Sequence, residues 1–242
     1  MNRLAASGCR WVCGMLLCVS LAWAQDATLT ARIELINGDK ATKAHGAGNV
    51  VVWLVPTAGA VKPAAFHQTQ APRLIQHNKS FEPHVLVVPV GSVVAFPNRD
   101  PFFHNVFSLF EGKRFDLGLY EAGSTRDVHF DKPGISYIFC NIHPEMSAVV
   151  IALETPYYGI SDPRGQVVIA NVPSGKYTLR VWYESTPPET LKAMTREVTV
   201  SEASSTLGVL RLTEATLSTP HKNLYGRDYD SPAPDSPAYD RH

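Results

Sequence analysis

Ile135-Ser-Tyr-Ile-Phe-Cys140-Asn-Ile-His143-Pro-Glu-Met146-Ser-Ala148-Val-Val-Ile-Ala152 is the stretch whose reading decides the fold. Ile135–Phe139 and Ala148–Ala152 are short runs rich in β-branched and aromatic residues, and the turn signal Pro133-Gly134 precedes the first. Such residues suit a pleated, half-buried surface, so the stretch reads as strand, tight loop, strand. Similar runs lie on both sides: Val50–Val55, Val85–Val88, Val93–Phe96, Val167–Ile169, Tyr177–Tyr183 and Arg196–Val200. Asn37-Gly38, Arg164-Gly165 and Ser174-Gly175 punctuate them. Runs this short and frequent predict an all-β chain built as a sandwich. Pro188 to Thr195 reads as a loop with at most one helical turn.

The loop between the two central strands carries Cys140, His143 and Met146 within seven residues, and Phe103-His104-Asn105-Val106 lies upstream. Two imidazoles, a thiolate and a thioether are the ligand set of a mononuclear type 1 (blue) copper site, a His₂Cys plane with a weak axial Met. Thiolate is soft and covalent towards copper, imidazole suits both oxidation states, and thioether favours Cu(I). Pro144 stiffens the loop by restricting its backbone. Taken singly, each residue has a plainer role: Cys140 as a buried thiol, Met146 as core, His143 as a turn residue. Zinc would prefer a second thiolate or a third His and has no use for Met.

Residues about 72–153 resemble a small cupredoxin of the plastocyanin, pseudoazurin and amicyanin kind, a Greek-key β-sandwich. Cys140-x2-His143-x2-Met146, with His143-Pro144-x-Met146, is similar to the short ligand loop of amicyanin, and His104-Asn105-Val106 to the first-ligand motif. The resemblance implies His104, Cys140, His143 and Met146 as ligands to one copper. It implies Asn105 as the residue tying the His104 segment to the cysteine loop. Phe81–Gly91, Phe96-Pro-Asn98, Phe115–Tyr120 and Thr155-Pro-Tyr-Tyr158 also resemble exported bacterial proteins described as methylamine-utilisation-like or plastocyanin-like. Asp162–Val181 resembles the second half of carboxypeptidase-regulatory-like and transthyretin-like β-sandwiches.

Residues 28–55 offer the missing first half of such a second sandwich: a strand, the Asn37-Gly38 hairpin and an apolar strand. Two arrangements follow. Either the cupredoxin (71–154) is spliced into a sandwich built from 25–70 and 155–213, or 25–70 is a plain extension and 155–213 a separate domain. Residues 214–242, with Pro220, Pro232, Pro234 and Pro237 and no hydrophobic periodicity, read as a disordered tail.

The N-terminus reads as a secretory signal over residues 1–24: Arg3 and Arg10, the apolar run Trp11–Leu21, then the small-x-small site Ala22-Trp23-Ala24. Cleavage there leaves no membrane span and predicts a periplasmic protein. The whole chain has 22 bases and 22 acids; losing Arg3 and Arg10 leaves 20 against 22, too mild a balance for nucleic-acid binding. Of 4 cysteines, Cys9, Cys13 and Cys18 also leave, so Cys140 has no disulfide partner within the mature chain. A lone thiol in an oxidising compartment is a liability unless a metal occupies it.

The expected function is electron transfer without catalysis, because four protein ligands leave no open position for substrate. A protein redox partner such as a cytochrome or dehydrogenase is expected at a loop-tip His143, with Phe102, Phe103 and Pro144 as a small apolar patch. The alternative is a copper chaperone, store or sensor. His45, His67, His77, His84 and His129 read as structural or surface residues, and His221 and His242 as solvated.

Overall fold

A computed structural model describes residues 26–37, 40–41, 46–57, 66, 70–109, 112–215 and 222–229. The expected signal segment, His45, His67, His221, His242 and most of the expected tail lie outside the described residues. The chain opens with β1 (Ala27–Asn37), β2 (Lys40–Ala41) and β3 (Val51–Pro56). Nine strands follow: β4 (Ile75–His77), β5 (Ser80–Glu82), β6 (Val85–Pro89), β7 (Ser92–Pro97), β8 (His104–Ser108), β9 (Phe115–Tyr120), β10 (Thr125–Phe130), β11 (Gly134–Cys140) and β12 (Ser147–Leu153). The last group is β13 (Tyr158–Ile160), β14 (Gln166–Val172), β15 (Gly175–Trp182), the helix α1 (Pro188–Ala193), β16 (Arg196–Val200) and β17 (Thr206–Thr213). The chain is thus nearly all β.

The strands of the middle group form one sandwich. Its larger sheet runs β6-β12-β11-β8-β9, and β10 pairs with β7 opposite it, with the β4-β5 hairpin joined to β7 through the Arg73–Ala95 and Gln76–Asn98 bridges. β6 lies parallel to β12, a pairing a hairpin cannot make. The core between the sheets holds Leu74, Phe81, Val88, Phe96, Val106, Tyr120, Phe130, Ile138, Cys140, Met146 and Val150.

Strands from before and after this unit share two further sheets. β1 pairs antiparallel with β14 and parallel with β17, while β3 lies between β13 and β15. Their common core joins Leu29, Ile33, Val52 and Leu54 from the first segment to Tyr157, Val167, Ile169, Leu179 and Leu210 from the last. Residues 70–154 therefore interrupt the companion sandwich in sequence. Tyr157 anchors the return: its ring packs edge-on against Tyr177 at 5.8 Å, and Thr155 Oγ1 donates to the Leu54 carbonyl.

The two sandwiches stack through a third apolar cluster: Val51, Trp53, Val85, Val87, Val149, Ile151, Leu153 and Trp182. This explains the unbroken apolar runs. Side chains alternate faces along a strand, so in β3 Val52 and Leu54 serve the companion core while Val51 and Trp53 serve the junction. In β12 Ala148, Val150 and Ala152 face the site-bearing core and Val149, Ile151 and Leu153 the junction.

The structure corrects two expectations. Pro188–Ala193 is a helix, not a loop: Pro188 opens its first turn, where a missing N–H costs nothing, and Leu191 and Met194 pack against the companion core. Within 214–242, residues 222–229 form a hydrogen-bonded turn, because Asn223 Oδ1 accepts from the amides of Tyr225 and Arg227. The strand reading also passes over β8, β9 and β17. β8 is buried at every position, so it has no alternation to read.

Candidate metal centre

Strand pairing assembles the site. Cys140 ends β11 and pairs with Val106 of β8, so His104, at the start of β8, sits at the same end of the sheet. Residues 141–146 then connect β11 to its antiparallel neighbour β12. This loop is closed by its own backbone: the Cys140 amide donates to the Met146 carbonyl at 3.3 Å and the Met146 amide to the His143 carbonyl at 3.1 Å. The Asn141 amide donates to the Asn105 carbonyl at 2.9 Å, fastening the loop to β8.

Cys140 Sγ lies 3.5 Å from His104 Nδ1 and 3.5 Å from His143 Nδ1. The three donor atoms are within 4.8 Å of one another, and among the described residues this is the one such grouping of His, Cys, Asp and Glu. Met146 is fully buried in the same core cluster as Cys140. The structure thus brings together the residues singled out in the sequence. A 3.5 Å N···S separation fits two ligands sharing one ion at about 2.0 Å and 2.3 Å, with an angle near 110° between them.

His143 departs from the expected exposed loop tip. It is only 7% exposed, whereas the following Pro144 and Glu145 are exposed. The Phe102 ring covers both imidazoles, with centroids 5.3 Å from His104 and 5.4 Å from His143. Phe103, 50% exposed, does lie outward. Asn105 joins the loop through its backbone carbonyl; its side chain instead donates to Asp116 Oδ1 at 2.8 Å, bracing β8 against β9.

Asp100 is the functional residue that the sequence reading misses. Its Oδ2 accepts from His104 Nε2 at 2.8 Å, and both groups are buried. The Asn78 and Lys79 amides donate to its two oxygens at 2.6 and 3.0 Å. Burial pushes its carboxyl up, but the His104 bond and the two amides outweigh that and leave it below the usual range. An ionised carboxylate only accepts, so the His104 proton sits on Nε2 and the Nδ1 lone pair faces Cys140. A carboxylate holding the far nitrogen of a ligand histidine is a recurrent feature of metal sites. The one signal in sequence is an acidic residue four positions before His104.

Burial keeps the donors neutral without a metal. It pushes the Cys140 thiol up, against the backbone amides of Ile142, Asn105 and His143 that favour the thiolate. It pushes His104 down, and it takes His143, aided by the neighbouring His104, down to about 4. Both imidazoles are therefore neutral at neutral pH, His104 with its Nδ1 lone pair free, and a metal need displace no imidazolium proton, only the thiol proton.

The remaining described histidines have other partners or none of this kind: His77 sits 3.7 Å from Glu82, His84 bridges Ser147 and Glu184, and His129 is exposed on β10.

No protein-family model matches the chain, and no curated protein does. Among solved structures it is similar to a purple cupredoxin from Nitrosopumilus maritimus, with 23% identity and a TM-score of 0.31 over 34% of this chain and 99% of that one. A copper-containing nitrite reductase from Thermus scotoductus is 22% identical, with a TM-score of 0.34, over 50% of this chain and 28% of that one. A reduced, Cu(I) form of an amicyanin variant is 20% identical, with a TM-score of 0.33, over 42% of this chain and 98% of that one.

Proposed function

We propose that this chain is an exported, periplasmic type 1 copper protein that carries electrons between protein partners, with His104, Cys140, His143 and Met146 as ligands to one copper. The observation that carries the reading is the convergence of two imidazole Nδ1 atoms on one buried cysteine sulfur at 3.5 Å. Donor chemistry narrows the metal. One thiolate, two imidazoles and a thioether suit copper, whereas zinc gains nothing from methionine.

Bound copper would supply a one-electron couple, Cu(II)/Cu(I). The protein's part is to hold the donors still in both states. Asp100 keeps the His104 proton on Nε2, so Nδ1 is permanently available. Three backbone amides bear on the Cys140 sulfur and stabilise its thiolate. His104, Cys140 and Met146 are fully buried and His143 nearly so, which keeps the donors out of contact with solvent. That favours electron transfer over catalysis at the metal. Phe102, packed on both imidazoles, and the exposed Phe103 and Pro144 next to the ligands in sequence would offer a small apolar face to a redox partner, and transient redox encounters need only a small interface.

The test is the visible spectrum with Cu(II). An intense thiolate-to-copper band, reversibly bleached by reduction and absent from Cys140→Ser, is expected. A protein that stays colourless and redox-silent with Cu(II) refutes the reading.

A further inference from the structure

After β17 the chain returns to the metal loop. Residues 222–229 form a compact turn: the Asn223 amide donates to the Arg227 carbonyl and the Gly226 amide to the Asn223 carbonyl, both at 2.9 Å. Gly226 takes a left-handed conformation (φ +73°), and Lys222 pairs with Asp228 across the turn. Two hydrogen bonds tie this turn to the loop. The Leu224 amide donates to Asn141 Oδ1 at 2.8 Å, and the Tyr229 hydroxyl donates to the Cys140 carbonyl at 2.8 Å. Burial pushes the Tyr229 phenol up, with Cys140 and Glu145 adding to the effect, so it stays a donor. By contrast Tyr225, on the same turn, is 75% exposed.

We propose that residues 222–229 are a strap that fixes the Cys140–Met146 loop, with Tyr229 as a positioning residue for Cys140 and Asn141 as the second anchor. The two contacts fall on consecutive residues at the point where β11 becomes the loop. Cys140 is held from the core side by β8, through the Asn141–Asn105 bond, and from the outside by Tyr229. A sulfur whose own peptide is clamped on both sides keeps one orientation, which is what a site that must not reorganise between oxidation states requires. The strap stands on the hydrogen bonds alone; only its meaning for copper rests on the reading above.

The experiment uses the full chain, native and as Tyr229→Phe, Asn141→Ala and the control Tyr225→Phe. In copper-free protein, amide hydrogen exchange at Asn141 and Met146 is followed by NMR. Loss of one ordinary hydrogen bond predicts about fivefold faster exchange in Tyr229→Phe and Asn141→Ala, and no change in Tyr225→Phe. Equal exchange in native and Tyr229→Phe, or the same increase in Tyr225→Phe, overturns the strap. With Cu(II), the thiolate band of Tyr229→Phe is expected to move from its native position. An unmoved band in a blue protein overturns Tyr229 as a positioning residue. A colourless native protein overturns the copper reading instead and leaves the exchange result standing.

Discussion

Replacing Asp100 by Asn isolates the contribution of the carboxylate beneath His104. Asp100 accepts three hydrogen bonds, from His104 Nε2, the Asn78 amide and the Lys79 amide. Asparagine has one acceptor oxygen and an NH₂ in place of the other. If its oxygen serves Asn78, its NH₂ faces both the Lys79 amide and His104 Nε2–H, donor against donor. Turned the other way, its oxygen serves His104 and Lys79 and its NH₂ faces the Asn78 amide; in either orientation one backbone donor loses its acceptor, at about 1–3 kcal/mol. In the orientation that turns NH₂ towards His104, the imidazole can move its proton to Nδ1, so that Nε2 accepts from the new amide. That relieves the fold but blocks the nitrogen facing Cys140. Copper-free Asp100→Asn should therefore melt roughly 2–12 °C below native, taking 2–4 °C per kcal/mol for a chain of this size. Its copper affinity should fall about 10–100-fold, the usual loss when a ligand's outer partner is removed. Thermal unfolding followed by circular dichroism, and competition titration with a chelator of known copper affinity, measure the two quantities. Asparagine with its oxygen towards His104 keeps the tautomer, so the deciding variant is Asp100→Ala, which offers no acceptor: native copper affinity in Asp100→Ala would refute the assignment of Asp100 as the group that sets the His104 tautomer, whatever the melting temperature does.

Three further expectations follow from the same geometry. Met146→Leu nearly conserves volume in a fully buried position, so it should cost under about 1.5 kcal/mol and keep the thiolate band while shifting the reduction potential; loss of the band would make Met146 more than a tuning ligand. Trp182→Ala empties the junction between the sandwiches, where Trp182 packs against Tyr137, and should destabilise by about 3–5 kcal/mol; a variant unfolding like native would show that the two sandwiches do not support each other. His84 Nε2 lies 2.6 Å from Glu184 across the two units, and this hydrogen bond raises the His84 pKa above 6.5. A raised folded pKa means the stabilisation is complete below pH 6.5 and disappears as pH rises through the folded value. Both groups are about a third exposed, so the effect is at most about 1 kcal/mol after screening. Melting curves of native and Glu184→Gln should converge at alkaline pH, and parallel curves would refute the coupling.

The readable part of the site was the local part. Cys140, His143 and Met146 fall within one seven-residue loop, so their spacing alone brings them close. His104 was legible as a residue type, but β8 pairing with β11 is what puts it beside Cys140. Asp100 was not legible. Four residues along an extended strand carry the chain far from its starting point, and Asp100 meets His104 only because residues 100–103 lie outside any strand and turn back. The burial of His143 is not legible in its own loop, because Phe102, more than forty positions earlier, packs against its ring. The return of residues 222–229 is illegible for the same reason: its contacts join residues 83 and 89 positions apart.

The sequence by itself determined the β class, the loop that carries the donors and the inventory of donor atoms. Short β-branched runs and fixed spacings are local properties, and local chemistry enforces them wherever they fold. It also held, in the unbroken apolar runs of β3, β6 and β12, the requirement that these strands be covered on both faces. Tertiary structure alone decided what covers them, because hydrophobic burial is non-directional and names no partner. It closed the companion sandwich around an interruption of some eighty residues, oriented His104 through Asp100, and folded residues 222–229 back onto Cys140. The first and last of these join segments far apart in the chain, and the Asp100–His104 bond depends on how residues 100–103 turn back; no periodicity or spacing encodes any of them.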